Sequence, residues 1–148
     1  MPNLPKRVLP LALFPALAWA LGAVRPADRF TATLSGASEV PAVQSDATGT
    51  ATVTIDGNVL SWRVEVKGLN DPTMAHIHGA APGENGGVLV PLFREDKGED
   101  FSGVLTEGKT TVEPDVIAAI RSGNAYVNVH TKANPRGEIR GQLKPAGT

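Results

Sequence analysis

The chain carries three histidines, His76, His78 and His130, and no cysteine. Residues i and i+2 of a strand point to one side, so His76 and His78, in a strand over 74–78, project together about 7 Å apart along the backbone while Ile77 faces the core. In the segment 124–130, Val127 and Val129 take the apolar side and leave Tyr126, Asn128 and His130 on the other. If these strands are neighbours or face across a cleft, three imidazoles can converge on one ion at about 2.0–2.1 Å per bond and leave a position open for water or substrate. Such a donor set suits zinc or Cu(II), and the Irving–Williams order puts copper ahead of zinc. Ligation requires neutral rings, so binding is expected to weaken as pH falls through about 6.5. Asn128, on the face of His130, is a candidate to orient a ligand. The competing reading is an H-x-H pair on a solvated strand face that needs no partner.

Other chemistries find less support. Without cysteine there is no disulfide scaffold, thiolate metal site, iron–sulfur cluster or cysteine nucleophile. The chain has no G-x-S-x-G elbow, P-loop or dinucleotide fingerprint. Gly83-Glu84-Asn85-Gly86-Gly87 is glycine-rich but opens no helix, so it reads as a loop and not as a phosphate cradle. Nothing in the spacing of Glu65, Asp71, Glu84 and Glu138 selects an acid–base pair. Fourteen basic against fifteen acidic residues, with no basic run, give no electrostatic footprint for nucleic acid.

The elements that must position the histidines are strands. Phe30, Ala32 and Leu34 alternate with Thr31, Thr33 and Ser35, and Ala51, Val53 and Ile55 continue the pattern after an extended edge or loop at 39–43 interrupted by Pro41. Asp56-Gly57-Asn58 predicts a hairpin turn. The return strand puts Leu60, Trp62, Val64 and Val66 on one face. Further strands are expected at 74–78, 88–93, 101–105, 124–130 and 138–143, the last pair joined by a turn over 133–137. Glu113-Pro114-Asp115, with Val116, Ile117 and Ile120 on one face and Gly123 at the end, predicts the one helix. Seven or eight short strands with regular turns, 16 Gly, 12 Pro and few aromatics imply an all-β fold: an antiparallel β-sandwich or a partly closed Greek-key-like barrel with one short helix.

The first 20 residues have a basic start (Lys6, Arg7), an uncharged apolar run and the A-x-A site Ala18-Trp19-Ala20, the pattern of a signal peptide. Cleavage there leaves twelve basic against fifteen acidic residues, a net charge of −3. Residues 21–28 read as a linker and 29–148 as one domain. No second run of membrane length follows, so a secreted or periplasmic location is expected, away from the membrane once the leader is removed.

Four motifs in order carry a family resemblance: Phe30-Thr31-Ala32-Thr33-Leu34-Ser35-Gly36-Ala37-Ser38-Glu39-Val40-Pro41; Ala75-His76-Ile77-His78-Gly79-Ala80-Ala81; Gly123-Asn124-Ala125-Tyr126-Val127-Asn128-Val129-His130-Thr131; and Asn134-Pro135-Arg136-Gly137-Glu138-Ile139-Arg140-Gly141-Gln142-Leu143. Together they resemble the chordin-type (CHRD) domain, which spans 29–148 by this reading. The resemblance implies export and a β fold; the domain is repeated in animal chordins, which bind growth factors, and single in many bacterial proteins. Arg136-Gly137 stands where many members have Gly-Gly. Separately, His76-Ile77-His78-Gly79 and Val129-His130-Thr131-Lys132 look like copper-ligand motifs of copper–zinc superoxide dismutases. That likeness implies His76, His78 and His130 as copper ligands, with Arg136 or Arg140 attracting a small anion such as superoxide. The further histidines and the disulfide of that family have no counterpart here. Two classes of function follow: a three-histidine metal site with redox chemistry on superoxide or another small oxidant, or an extracellular module that binds a protein or matrix component without catalysis. Periplasmic metal storage or delivery is a third.

Overall fold

The computed structural model describes residues 28–147. The expected leader, and the expected linker except for Asp28, lie outside the described residues. Asp28 itself begins the first strand.

The chain forms β1 (Asp28–Ser35), β2 (Thr48–Asp56), β3 (Val59–Asn70), β4 (Pro72–His78), β5 (Val88–Arg94), β6 (Asp100–Thr111), helix α1 (Pro114–Arg121), β7 (Tyr126–Thr131), β8 (Ile139–Gln142) and a two-residue β9 (Lys144–Pro145). All pairings are antiparallel. The order across the sheet is β5-β4-β7-β8-β1-β2-β3-β6, with β9 paired to β1. The two outer strands approach each other, and the Thr106 hydroxyl of β6 donates to the Leu92 carbonyl of β5 at 2.8 Å. The sheet is thus nearly closed into a barrel.

Period-two alternation builds this barrel. Ala32, Ala51 and Val64 lie in register across β1, β2 and β3, and all three are buried. Phe30, Val53 and Trp62 form the next row, with Trp62 only partly buried. Leu34, Leu60, Leu69, Ile77, Val127, Val129 and Ile139 complete the interior. The expected hairpin forms at Gly57, whose φ of +60° is a conformation glycine adopts freely. At the end of β3, Asp71, at φ +47°, turns the chain into β4 within one residue. Asp tolerates this left-handed region better than most side chains. Helix α1 buries Val116, Ile117 and Ile120 as its sequence implies, and Arg121 at its end bonds Asp28 at 2.6 Å.

β6 departs from the sequence reading. A short strand over 101–105 was expected, but the strand runs to Thr111. Its second half, Thr106 to Thr111, is largely exposed and polar, so no hydrophobic alternation marks it; backbone pairing with β3 extends it. The segment 39–43 forms no strand and lies against the cleft described below.

Candidate metal centre

The structure makes the two histidine strands neighbours and brings the three histidines together. In β4, Ile77 is fully buried in the core, so His76 and His78 leave by the other face. In β7, Val127 and Val129 are likewise fully buried and send Tyr126, Asn128 and His130 to that face. The strands are adjacent, with His76 opposite Asn128, His78 opposite Tyr126 and Met74 opposite His130. His130 therefore lies diagonal to His76. Against β5 the ladder is irregular around both β4 histidines, while against β7 it is regular there, so β7 fixes the register of the group.

That face is not solvated. His78, Asn128, Tyr126 and His130 are buried, and His76 is half-buried. Loops folded over the sheet cover them, which strand periodicity does not reveal. The glycine-rich loop 79–87 closes on itself through Gly79 N–H to Gly87 O at 3.0 Å. A Cβ on Gly86 would collide with the Gly79 carbonyl, so this position needs glycine. On the other side, buried Glu138 accepts hydrogen bonds from Thr131 (2.6 Å), Ser45 (2.7 Å) and Asn134 (3.2 Å), which pins the turn after β7.

These loops set the tautomers. His78 Nδ1 lies 2.9 Å from the Gly86 carbonyl and His130 Nδ1 lies 3.0 Å from the Pro135 carbonyl. A carbonyl only accepts, so both rings carry their proton on Nδ1 and present the Nε2 lone pair inward. His76 Nδ1 sits 3.0 Å from His130 Nε2 and must donate to it while no ion is bound. His78 Nε2 has no hydrogen-bond partner. One ligand atom from each ring lies within 4.8 Å of the others. A tetrahedral ion with bonds of about 2.0–2.1 Å holds its nitrogens about 3.3 Å apart, so the group needs only a modest contraction to receive one.

The rings are also held neutral. Burial, then the neighbouring His130 and His78, lower the His76 pKa to about 4. Burial likewise lowers His78 and His130, opposed in each by the backbone hydrogen bond.

The other expected site residues divide. Asn128 is in place opposite His76, between Glu39 and His78, and its amide influences the protonation of both. Its Oδ1 nevertheless makes no hydrogen bond of acceptable geometry. Arg140 is buried: it donates to Asn85 Oδ1 at 3.0 Å and Glu84 O at 2.6 Å, and its guanidinium lies 3.4 Å from the centre of the Tyr126 ring. Tyr126 also stacks on His78, with ring centres 5.0 Å apart. Arg140 thus props the loop and the ring beside the site. Arg136 is exposed and lines the rim of a neighbouring cleft. Glu39, which the sequence reading placed on an edge or loop, is buried beside Asn128. Its only signal was an acid set between small and apolar residues in the first motif.

Comparison with known proteins bears on the family. The CHRD domain family model matches residues 30–143. Chordin of Danio rerio is 34% identical over 122 residues and chordin of Xenopus laevis 34% identical over 117; each match covers 74% of this chain and 12% of the relative. The chain therefore spans a small part of the length of these relatives. No solved structure matches significantly. The likeness to copper–zinc superoxide dismutases rests on the two histidine motifs alone. With four motifs on the strands and loops that build one site, and a match across almost the whole described barrel, the chain belongs to the CHRD domain family.

Proposed function

We propose that this CHRD domain is an exported binding module that holds one transition-metal ion through His76 Nδ1, His78 Nε2 and His130 Nε2. The observation that carries this reading is the pair of Nδ1–H bonds to the Gly86 and Pro135 carbonyls, which aim two Nε2 lone pairs toward the third ring. Histidines that bind metals are commonly oriented in this way by a backbone acceptor on the far nitrogen. The donor set fits the metals expected of it, since three neutral imidazoles suit Cu(II) and zinc, with copper bound more tightly. Copper bound there would supply one-electron chemistry and zinc would supply Lewis acidity. Binding leads over turnover of superoxide because Arg140, one of two arginines expected to guide an anion, is committed to the loop and to Tyr126. Export is supported by the leader pattern and by the family. Among the described residues no helix is long and apolar enough to cross a membrane.

Calorimetric titration of Zn(II) and Cu(II) into EDTA-stripped protein tests this. One ion per chain is expected, with affinity reduced on the order of 100-fold in His130→Ala. Electron paramagnetic resonance of the Cu(II) form should show three coupled nitrogens. Because the rings are less basic than free imidazole, affinity should persist below pH 6.5 and not fall through it as the sequence alone suggests. Equal affinity in wild type and His130→Ala would remove the metal site and leave a module that binds by its surface.

A further inference from the structure

Beside the histidines, a cleft of about 440 Å³ opens between residues 39–43 and the turn 133–137. Among the described residues, three buried side-chain polar atoms lack a hydrogen-bond partner: Glu39 Oε1, Asn128 Oδ1 and His78 Nε2. All three residues line this cleft. Glu39 is 7% exposed and Asn128 3%, so bulk water does not satisfy them. Leaving a buried polar group unpaired is costly, and three in one place mark a position that expects an occupant.

The three atoms share one chemistry. Glu39 Oε1 belongs to a carboxyl group. The Asn128 amide has its Nδ2 toward Glu39, which leaves Oδ1 as the unpaired acceptor. His78 carries its proton on Nδ1, so Nε2 is a lone pair. The buried unpartnered atoms of the cleft are therefore all acceptors, which favours an occupant that donates hydrogen bonds at that depth, below the exposed Arg136 of the rim. Val40, Pro41, Val43, Ala133 and Pro135 give it an apolar wall, while Asn85, Tyr126, Asn134 and the exposed Arg136 complete the lining. Gly137 keeps the floor open, since a Cβ there would lie 2.5 Å from Glu39 Oε1 and 2.6 Å from Asn128 Nδ2.

We propose that this cleft binds a primary alkylammonium group, whose three N–H donors match Glu39 Oε1, Asn128 Oδ1 and His78 Nε2 and whose alkyl stem lies on the apolar wall. The cleft is within the usual range of small-ligand sites, about 300–1,000 Å³. Burial raises the Glu39 carboxyl to about 7 despite the pull of Arg140, so a cation against it relieves an unfavourable charge state. The same head group occurs on small amines and on the lysine side chain of a protein partner. The inference concerns the metal-free protein, because a metal ion held by His78 Nε2 would take one of the three acceptors and leave Glu39 Oε1 and Asn128 Oδ1.

The test is a titration of n-butylammonium chloride into ¹⁵N-labelled full-length protein, in EDTA at pH 7.5 and constant ionic strength, followed by amide NMR. Saturable shifts are expected at Glu39, Gly86, Asn128 and Gly137, and not along β2 and β3. Tetramethylammonium, equal in charge but without N–H donors, should produce none at those positions. Glu39→Gln keeps the shape and removes the charge, and should bind at least about tenfold more weakly. Nα-acetyl-lysine methylamide in a parallel arm identifies the source: tighter binding than butylammonium assigns a protein lysine, weaker binding a free amine. Equal shifts with tetramethylammonium, shifts confined to other regions, or undiminished binding by Glu39→Gln would overturn the proposal. The wild-type comparison of the two cations decides even if Glu39→Gln does not fold. Butylammonium binding by a protein that takes up no zinc would leave this inference standing while the metal reading falls.

Discussion

The barrel has two halves that obey the same alternation and use it differently. In β1, β2 and β3 the inward residues are apolar and the outward ones largely polar: Phe30, Ala32 and Leu34 are buried, while Arg29, Thr31 and Thr33 are exposed. The outward faces of β1, β2 and β3 remain largely open to solvent. In β4, β7 and β8 the outward face is covered as well, and every residue of β7 is buried. The seams between the halves are thin: β1 meets β8 at the single pair Ser35 and Arg140, and β6 reaches β5 through the Thr106 hydroxyl. The first half therefore acts as a scaffold whose polar side chains are satisfied by water. The second must satisfy its polar side chains internally; among the described residues, the buried side-chain atoms left without a partner are on His78 and Asn128 of this half and on the loop residue Glu39 packed against it. A covered outer face on a strand is thus the mark of a site in this fold.

Two arginines make the contrast measurable. Arg140, in the covered half, is 2% exposed and makes two hydrogen bonds besides its stacking on Tyr126. Hydrogen bonds of a charged group are worth about 1.5–3 kcal/mol each, so Arg140→Ala should destabilise the protein on the order of 3 kcal/mol in urea unfolding. It should also loosen loop 79–87, weakening metal affinity through Gly86 and His78. A loss below about 1 kcal/mol would mean that Arg140 is not a prop and would return it to the role of an anion guide.

A smaller effect follows from the buried titratable groups. Free histidine titrates near 6.5, whereas in the folded protein His76 is lowered to about 4 and His78 and His130 are lowered too. Below pH 6.5 the unfolded chain binds more protons than the folded one. The stability gained by burying neutral rings is thus fully present above 6.5 and is lost as pH falls toward 4. Glu39 runs the other way: its pKa rises from 4.5 to about 7, so its contribution is present below 4.5 and lost as pH rises through 7. Unfolding at a series of pH values in EDTA should show His76→Ala flattening the acid limb and Glu39→Gln raising stability at pH 8 relative to pH 4.5. Parallel profiles for wild type and both variants would show that these groups are not buried as described.

The two halves also differ in how far the sequence disclosed them. In the scaffold, alternation located β1, β2 and β3 and their inward faces, because one side meets the core and the other meets water. It failed in the second half of β6, where Thr106 to Thr111 carry no apolar signal and pairing alone makes the strand. For the site, Ile77, Val127 and Val129 were enough to place His76, His78, Asn128 and His130 on one face. The burial of that face was not legible, because it depends on loops whose closure is a tertiary event. The roles of Glu39 and Arg140 were hidden for the same reason: their partners lie 89 residues away at Asn128 and 55 away at Asn85.

The smallest effect belongs to the scaffold's own charge cluster. Arg63 on β3 bonds Glu107 at 2.8 Å across to β6 and Glu65 at 2.9 Å along its own strand. The geometry resembles that of a strong pair, and Arg63 is directly opposite Glu107 in the ladder. All three side chains are nevertheless about half exposed or more, at 47, 51 and 65%. Water solvates them almost as well apart as together, and ordering long side chains costs entropy, so exposed pairs are worth about 0.2–1 kcal/mol. Arg63→Ala should therefore lower stability far less than Arg140→Ala, and most of that small difference should vanish in 0.5 M salt, where the Debye length falls to about 4–5 Å. Arg140→Ala should keep its full effect at the same salt, because its partners are carbonyl oxygens and an aromatic ring screened from solvent. A salt-insensitive loss of several kcal/mol in Arg63→Ala would show that the open half also depends on desolvated charge, and the division between scaffold and site would fail.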